Sequence, residues 1–243
     1  RRPRWRVKVT QLAQHATVRL IPSGRFKPKA LSPLVDHNDE LAILEELEGL
    51  TSGRLRAEKG ELPDLDPREL AYAARASQLQ QFGATYVNAA FAYTRVGGNR
   101  FNAHGRGAWY CAFDDLTAVA EVGYHLTREL SAIGVFDNTT DYQAMLADFI
   151  GEFPDLRGGS HASLDPDPAA GYPAGQALAA ALRKAGHNGL IYPSVRAPGG
   201  TCFAAFAPQI VQNVRPAAVW RLTWAGSPRF SATPNPKDAA GGS

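Results

Sequence analysis

Trp109-Tyr110-Cys111-Ala112-Phe113-Asp114-Asp115-Leu116-Thr117-Ala118-Val119-Ala120-Glu121-Val122 decides how the chain is read. Its first five residues are apolar or aromatic, as in a strand, and the Asp114-Asp115 pair that follows is a helix cap. Ala118, Glu121, Val122 and His125 then fall on neighbouring positions along the helix. A strand therefore feeds directly into a helix.

Outward from this stretch, residues 17–21 read as a short strand stopped by Pro22-Ser23-Gly24, and residues 142–150, 190–192, 202–206 and 218–224 read as further strands. Residues 84–94, rich in small and aromatic side chains, fit a buried strand but leave a helix open. Asn38 offers a cap for a surface helix ending near Gly49, with Leu41, Leu44 and Leu47 set among glutamates. Asp66-Pro67-Arg68-Glu69 starts another, running to about Gln80: an Asp cap, Pro in the first turn and Glu three residues after the cap. Residues 158–175 read as a loop, and residues 174–185 as an Ala-rich helix closed by Gly186. Helices and strands interleave without a βαβ rhythm or a solenoid repeat, which predicts an α+β fold. One domain is expected, with its core at 17–225, a helical elaboration at 38–80 and a tail at 226–243.

Composition narrows the function classes. The 243 residues are 44% hydrophobic, ordinary for a chain that buries a core, and the net charge is only +3. Arg1, Arg2, Arg4, Arg6 and Lys8 crowd one end without an aromatic series, the pattern of a solvated terminus, so direct nucleic-acid binding is not expected. Cys111 and Cys202 cannot build a disulfide framework, which favours a reducing cytoplasm. No apolar run approaches the roughly 20 residues that span a bilayer, and no signal-peptide pattern opens the chain. The first residue is not Met and Ala239-Ala240-Gly241-Gly242-Ser243 reads as a processed end, excluded from fold reasoning. The six histidines and two cysteines never take metal-ligand spacing, so no metal is expected. Neither G-x-G-x-x-G nor the P-loop pattern occurs, which disfavours those modes of nucleotide binding.

Val96-Gly97-Gly98-Asn99-Arg100-Phe101-Asn102-Ala103-His104-Gly105 puts Arg100 and His104 on a Gly-flanked loop where backbone can approach a ligand. Tyr110 follows on the strand and Glu121 on the next helix, an order that could place both on one wall. On spacing alone the bland reading wins: Tyr at a strand start is ordinary core, and Glu in a helix is ordinarily solvated.

Specificity comes from the set. Arg19 in Val18-Arg19-Leu20-Ile21-Pro22-Ser23, Arg100, Tyr110, Glu121, and Gly189-Leu190-Ile191-Tyr192-Pro193-Ser194-Val195-Arg196 together resemble the RES domain, over about residues 18–215. The family is named for its Arg, Glu and Ser. The chain departs from it in inserting Asn99 and in carrying Phe101 where the family often has Trp.

The resemblance implies an ADP-ribosyltransferase-like fold, with short strands in small packed sheets surrounded by helices. It implies a bacterial toxin of the RES-Xre type, with an Xre-like antitoxin partner and NAD as substrate. The bond cleaved would join nicotinamide to ribose, with ADP-ribose passed to water or phosphate. A protein target for mono-ADP-ribosylation and a non-catalytic nucleotide-binding module are the alternatives. Residue by residue, Arg19 and Arg100 would grip the phosphates or ribose, Tyr110 would pack beside the nicotinamide, and Glu121 would orient the ribose and stabilise its charge. Ser194 would be a polar contact to phosphate or acceptor. Arg196 is either a ligand contact or part of a hairpin turn, His104 either a ribose or base contact or a loop residue, and His125 either an orienter of Glu121 or a structural histidine.

That chemistry asks little of a protein. Nicotinamide leaves a pyridinium as a neutral ring, so no acid is required, while the ribose passes through an oxocarbenium-like state that a carboxylate stabilises. Arg suits the diphosphate and an aromatic ring the nicotinamide. No serine nucleophile is expected, since G-x-S-x-G is missing and Pro193 favours an extended strand end.

Overall fold

Strand formation in this chain runs well past its apolar stretches. The computed structural model describes residues 7–26, 64–70 and 83–235. They form β1 (Lys8–Pro22), α1 (Ala84–Ala92), β2 (Trp109–Ala112), α2 (Asp115–Ile133), β3 (Asp137–Asp155), α3 (Pro168–Lys184), β4 (Gly189–Pro193), β5 (Thr201–Ala205), β6 (Gln212–Ala225) and β7 (Phe230–Pro234). The expected α+β class is what forms. Short strands in small packed sheets are not: one seven-stranded sheet of order β1-β2-β5-β4-β3-β6-β7 contains strands of 15, 19 and 14 residues. Only β3–β4 is parallel. Because β1 also pairs with β3, hydrogen bonds link β1, β2, β5, β4 and β3 into a ring from which β6 and β7 extend.

The long strands were read short because their outer halves are largely polar and find their partners in distant chain. The first half of β1 carries Lys8, Thr10, Gln11, Gln14 and His15, yet pairs with β3 along its length. The register slips between Gln14 and Thr17, where Ala16 adopts φ 57°, a left-handed backbone rare outside glycine. Asn213 in β6 is the second such residue (φ 51°), and Asp148 ties both. It accepts from Ala16 N at 2.9 Å, Asn213 Nδ2 at 2.8 Å and Arg215 Nη1 at 3.0 Å. Burial pushes its carboxyl up, but these donors outweigh it and hold the group below the usual carboxylate range.

Three further corrections follow from local chemistry. Residues 84–94, left open between strand and helix, contain α1, entered from Gly83 at φ 91°. The helix expected at 174–185 starts at Pro168, capped by Asp167, whose side chain accepts from Ala169 N; a proline at the first turn is tolerated, so the loop signal misled. The expected tail at 226–243 contains β7, which pairs with β6 from Trp224↔Phe230 to Trp220↔Pro234. The helix expected at Asn38 lies outside the described residues. So does most of the one starting at Asp66, of which the described part is a 3₁₀ turn, Pro67–Glu69, with Asp66 N donating to Glu69 Oε1 at 3.4 Å.

The strand period of two sorts the core onto two faces. Tyr192, Cys202 and Ala204 join Ala118 and Val119 of α2 and Leu178 and Leu182 of α3 in one cluster, on which Tyr110 also packs. Ile191, Phe203 and Ala205 join Trp109, Cys111 and Val87 and Phe91 of α1 in the other. Asp114 caps α2, accepting from Thr117 N and Thr117 Oγ1, both at 2.8 Å, and Gly134 closes it at φ 70°. No helix among the described residues is long and apolar enough to cross a membrane.

Candidate active site

Glu121, Tyr124, His125 and Arg128 share one face of α2, at steps of three and four residues. Cap and C-terminal turn fix the helix, so this face is presented rigidly. Glu121 Oε1 accepts from Ser194 Oγ at 2.6 Å, and Cys202 Sγ stands 3.9 Å away. Glu121 Oε2 has no protein partner among the described residues. Ser194 lies just past the end of β4, and its hydroxyl is fully committed. It donates to Glu121 and accepts from Arg196 N at 3.1 Å and Ala197 N at 2.9 Å. Its hydroxyl orients the Glu121 carboxylate.

Arg100 reaches the same side of the sheet by a different route. Asn99 and Asn102 bridge each other, so Arg100 and Phe101 form the tip of a tight turn whose Phe101 ring meets Tyr192 at 4.8 Å. Gln176 of α3 donates to the carbonyls of Gly97 (2.8 Å) and Asn99 (3.0 Å). Two glycines of α3 let the loop sink against the helix. A Cβ on Gly175 would stand 2.1 Å from the Arg100 carbonyl, and one on Gly171 2.6 Å from Arg100 Nη1. Arg100 is only 7% exposed; its Nη1 donates to the carbonyl of Ser163 and, at 2.8 Å, to that of Asp165, and the guanidinium lies 5.4 Å from the Tyr172 ring.

Tyr110 braces the loop: its hydroxyl accepts from Phe101 N at 2.9 Å and donates to Asn102 Oδ1 at 2.8 Å. Burial pushes its phenol up, so it stays protonated. Both hydroxyl bonds go to the arginine loop, which makes Tyr110 a support beneath Arg100.

Arg196 donates Nη2 to Pro166 O and lies 3.4 Å from the Tyr124 ring centroid; Arg128 is 5.9 Å from the same ring. Arg100 and Arg196 thus hold consecutive parts of one loop, residues 163–166. His125 reports their combined field. Burial, then the charges of Arg95, Arg196, Arg128 and Arg100, pull its pKa down to about 4, so it is neutral near pH 7. Burial pushes the Cys202 thiol well up, and the charge of Glu121 adds to the effect. Among the described residues no three His, Cys, Asp or Glu converge as around a metal ion.

Arg19 and His104 are not brought to this set. Val18 and Leu20 belong to the α2–α3 face, so Arg19 between them points to the other, 4.9 Å from the Trp109 ring, with Nη1 donating to Tyr110 O at 3.1 Å. His104 is exposed on the loop, 3.5 Å from Thr94 Oγ1. Sequence reading missed Tyr124, Arg128 and Tyr172. The first two were open to the same helical spacing that singled out His125, whereas Tyr172 and the 163–166 carbonyls left no sequence signal.

No curated protein matches the chain. The family model of the RES domain matches residues 50–225, which includes Arg100, Tyr110, Glu121, Ser194 and Arg196 and leaves Arg19 outside. The chain belongs to the RES domain family, a family of toxin–antitoxin-related modules that act on NAD.

Proposed function

We propose that this chain cleaves the bond between nicotinamide and ribose in NAD and passes ADP-ribose to water or phosphate, as a toxin held in check by an Xre-like antitoxin on an ADP-ribosyltransferase-like fold. One observation carries the reading: the Glu121 carboxylate, aimed by Ser194, stands among arginines and aromatic rings on one face. A net-positive face receives a diphosphate, and one carboxylate suffices for the ribose.

In the reaction the C1′–N bond breaks, its electron pair leaving with neutral nicotinamide, and C1′ becomes oxocarbenium-like. Glu121 Oε2, without a partner among the described residues, holds a ribose hydroxyl and stabilises that charge. Water or phosphate then bonds C1′ from the vacated side and releases its proton to solvent. Arg100 fixes the carbonyls of Ser163 and Asp165 and keeps Nε and Nη2 without partners among the described residues, available to the ligand.

Incubating the purified chain with NAD, in the presence and absence of phosphate, tests this. The expected result is release of free nicotinamide with ADP-ribose or its 1″-phosphate as co-product. NAD left intact until a protein target is added would contradict it.

A further inference from the structure

Arg100, Arg128 and Arg196 have no carboxylate partner among the described residues, whereas Arg95 beside them pairs with Glu129 at 2.8 Å. Of the three, Arg196 lies nearest an aromatic ring. At 3.4 Å from the ring centroid its guanidinium can only lie over the face of Tyr124. The turn that carries it does not need this contact. Ser194 Oγ already accepts from the amides of residues 196 and 197, Ser194 N donates to Gly200 O, and Gly200 N to Ala197 O, both at 2.9 Å. Gly200 in turn packs on Thr117 of α2, where a Cβ would stand 2.4 Å from Thr117 Oγ1. A half-buried guanidinium stacked on a ring, with no carboxylate partner among the described residues, is prepared for an anion.

Its position identifies which anion. Tyr124 is three residues beyond Glu121, an axial step of about 4.5 Å, comparable to the distance from a ribose ring to its own 5′-phosphate. Ser194, which aims Glu121, is two residues before Arg196. We propose that the Arg196–Tyr124 stack is the subsite for the substrate's diphosphate, with Tyr124 as the residue that sets the pose of the guanidinium and Arg128 adding charge at the same ring. This deepens the NAD reading and rests on it. The neutral state of His125, imposed by burial and these arginines, keeps the site from adding a further cation on the helix face itself.

The test is the affinity for ADP-ribose, which carries both phosphates and no nicotinamide, read by calorimetry on the full chain beside steady-state NAD kinetics. Arg196→Gln and Tyr124→Leu should each weaken ADP-ribose binding about 10-fold or more and raise KM for NAD in proportion, leaving kcat nearly unchanged. Arg196→Lys should not restore affinity, because a point charge does not stack as a planar fork does, whereas Tyr124→Phe should keep it. Phe retains the ring, so it carries the test if Tyr124→Leu does not fold. Wild-type affinity in Arg196→Gln, or a loss confined to kcat, overturns the subsite while leaving NAD cleavage intact. Failure of the wild-type chain to release nicotinamide overturns NAD cleavage instead, and a drop in ADP-ribose affinity in Arg196→Gln would still uphold the subsite.

Discussion

Arg100 and Arg106 lie six residues apart, and both are nearly sealed from solvent, 7% and 6% exposed. Their partners separate them. Arg106 meets Glu69 with two nitrogens, Nη1 to Oε1 at 2.7 Å and Nη2 to Oε2 at 2.5 Å, and also donates to Asp64 O and Phe206 O. That contact, with Asp66 next, outweighs burial and holds the Glu69 carboxyl below its ordinary range. Arg100 has carbonyls and a ring but no carboxylate among the described residues. A buried guanidinium whose charge is matched is structural, and one whose charge is open is poised for an anion.

The pair can be broken experimentally. Arg106→Gln should cost on the order of 2–4 kcal/mol, discounted because Glu69 keeps some solvent, and lower Tm by about 5–10 °C; the residual folded protein should bind NAD normally. Arg100→Gln should show the reverse: KM for NAD up about 10-fold, with a Tm loss smaller than that of Arg106→Gln. Equal Tm losses with equal KM changes would erase the distinction. Gly175→Ala sharpens it, since the added methyl displaces the Arg100 carbonyl. About 1–3 kcal/mol of stability should be lost, with NAD affinity, and the Arg106 pair untouched.

A smaller effect depends on pH. His125 binds its proton less readily folded, about 4, than unfolded, near 6.5. Its contribution is therefore complete above pH 6.5 and is lost as pH falls towards 4. Between pH 7 and 5, urea melts of the wild-type chain should lose about 2 kcal/mol more than those of His125→Asn. ADP-ribose should reduce that difference by neutralising the arginines. Parallel pH curves for the two proteins would contradict a His125 that burial and the arginines hold neutral.

Much of the α2 side was legible beforehand, because Asp114, the apolar steps of α2 and the Glu121–His125 spacing are local signals. The β1, β3 and β6 strands were read short because their polar halves are stabilised by pairing with distant chain, which leaves no periodic trace. The same limit hid the division of the arginines. The sequence did not show that the pairing of β1 with β2 and β3 sets Arg19 against Trp109, away from Arg100, or that the turn after β4 brings the Ser194 hydroxyl onto Glu121. Side-chain direction across a sheet depends on register, and register here is long-range.

Ser194→Ala removes the donor that aims Glu121 and should lower kcat about 10-fold with little change in KM. The most direct test is nicotinamide release at saturating NAD by the wild-type chain and Glu121→Gln, which keeps size and the Ser194 contact but removes the charge. The expected result is loss of turnover by about 100-fold or more with ADP-ribose affinity retained. Equal release by the two proteins would contradict a role for the Glu121 carboxylate in breaking the bond.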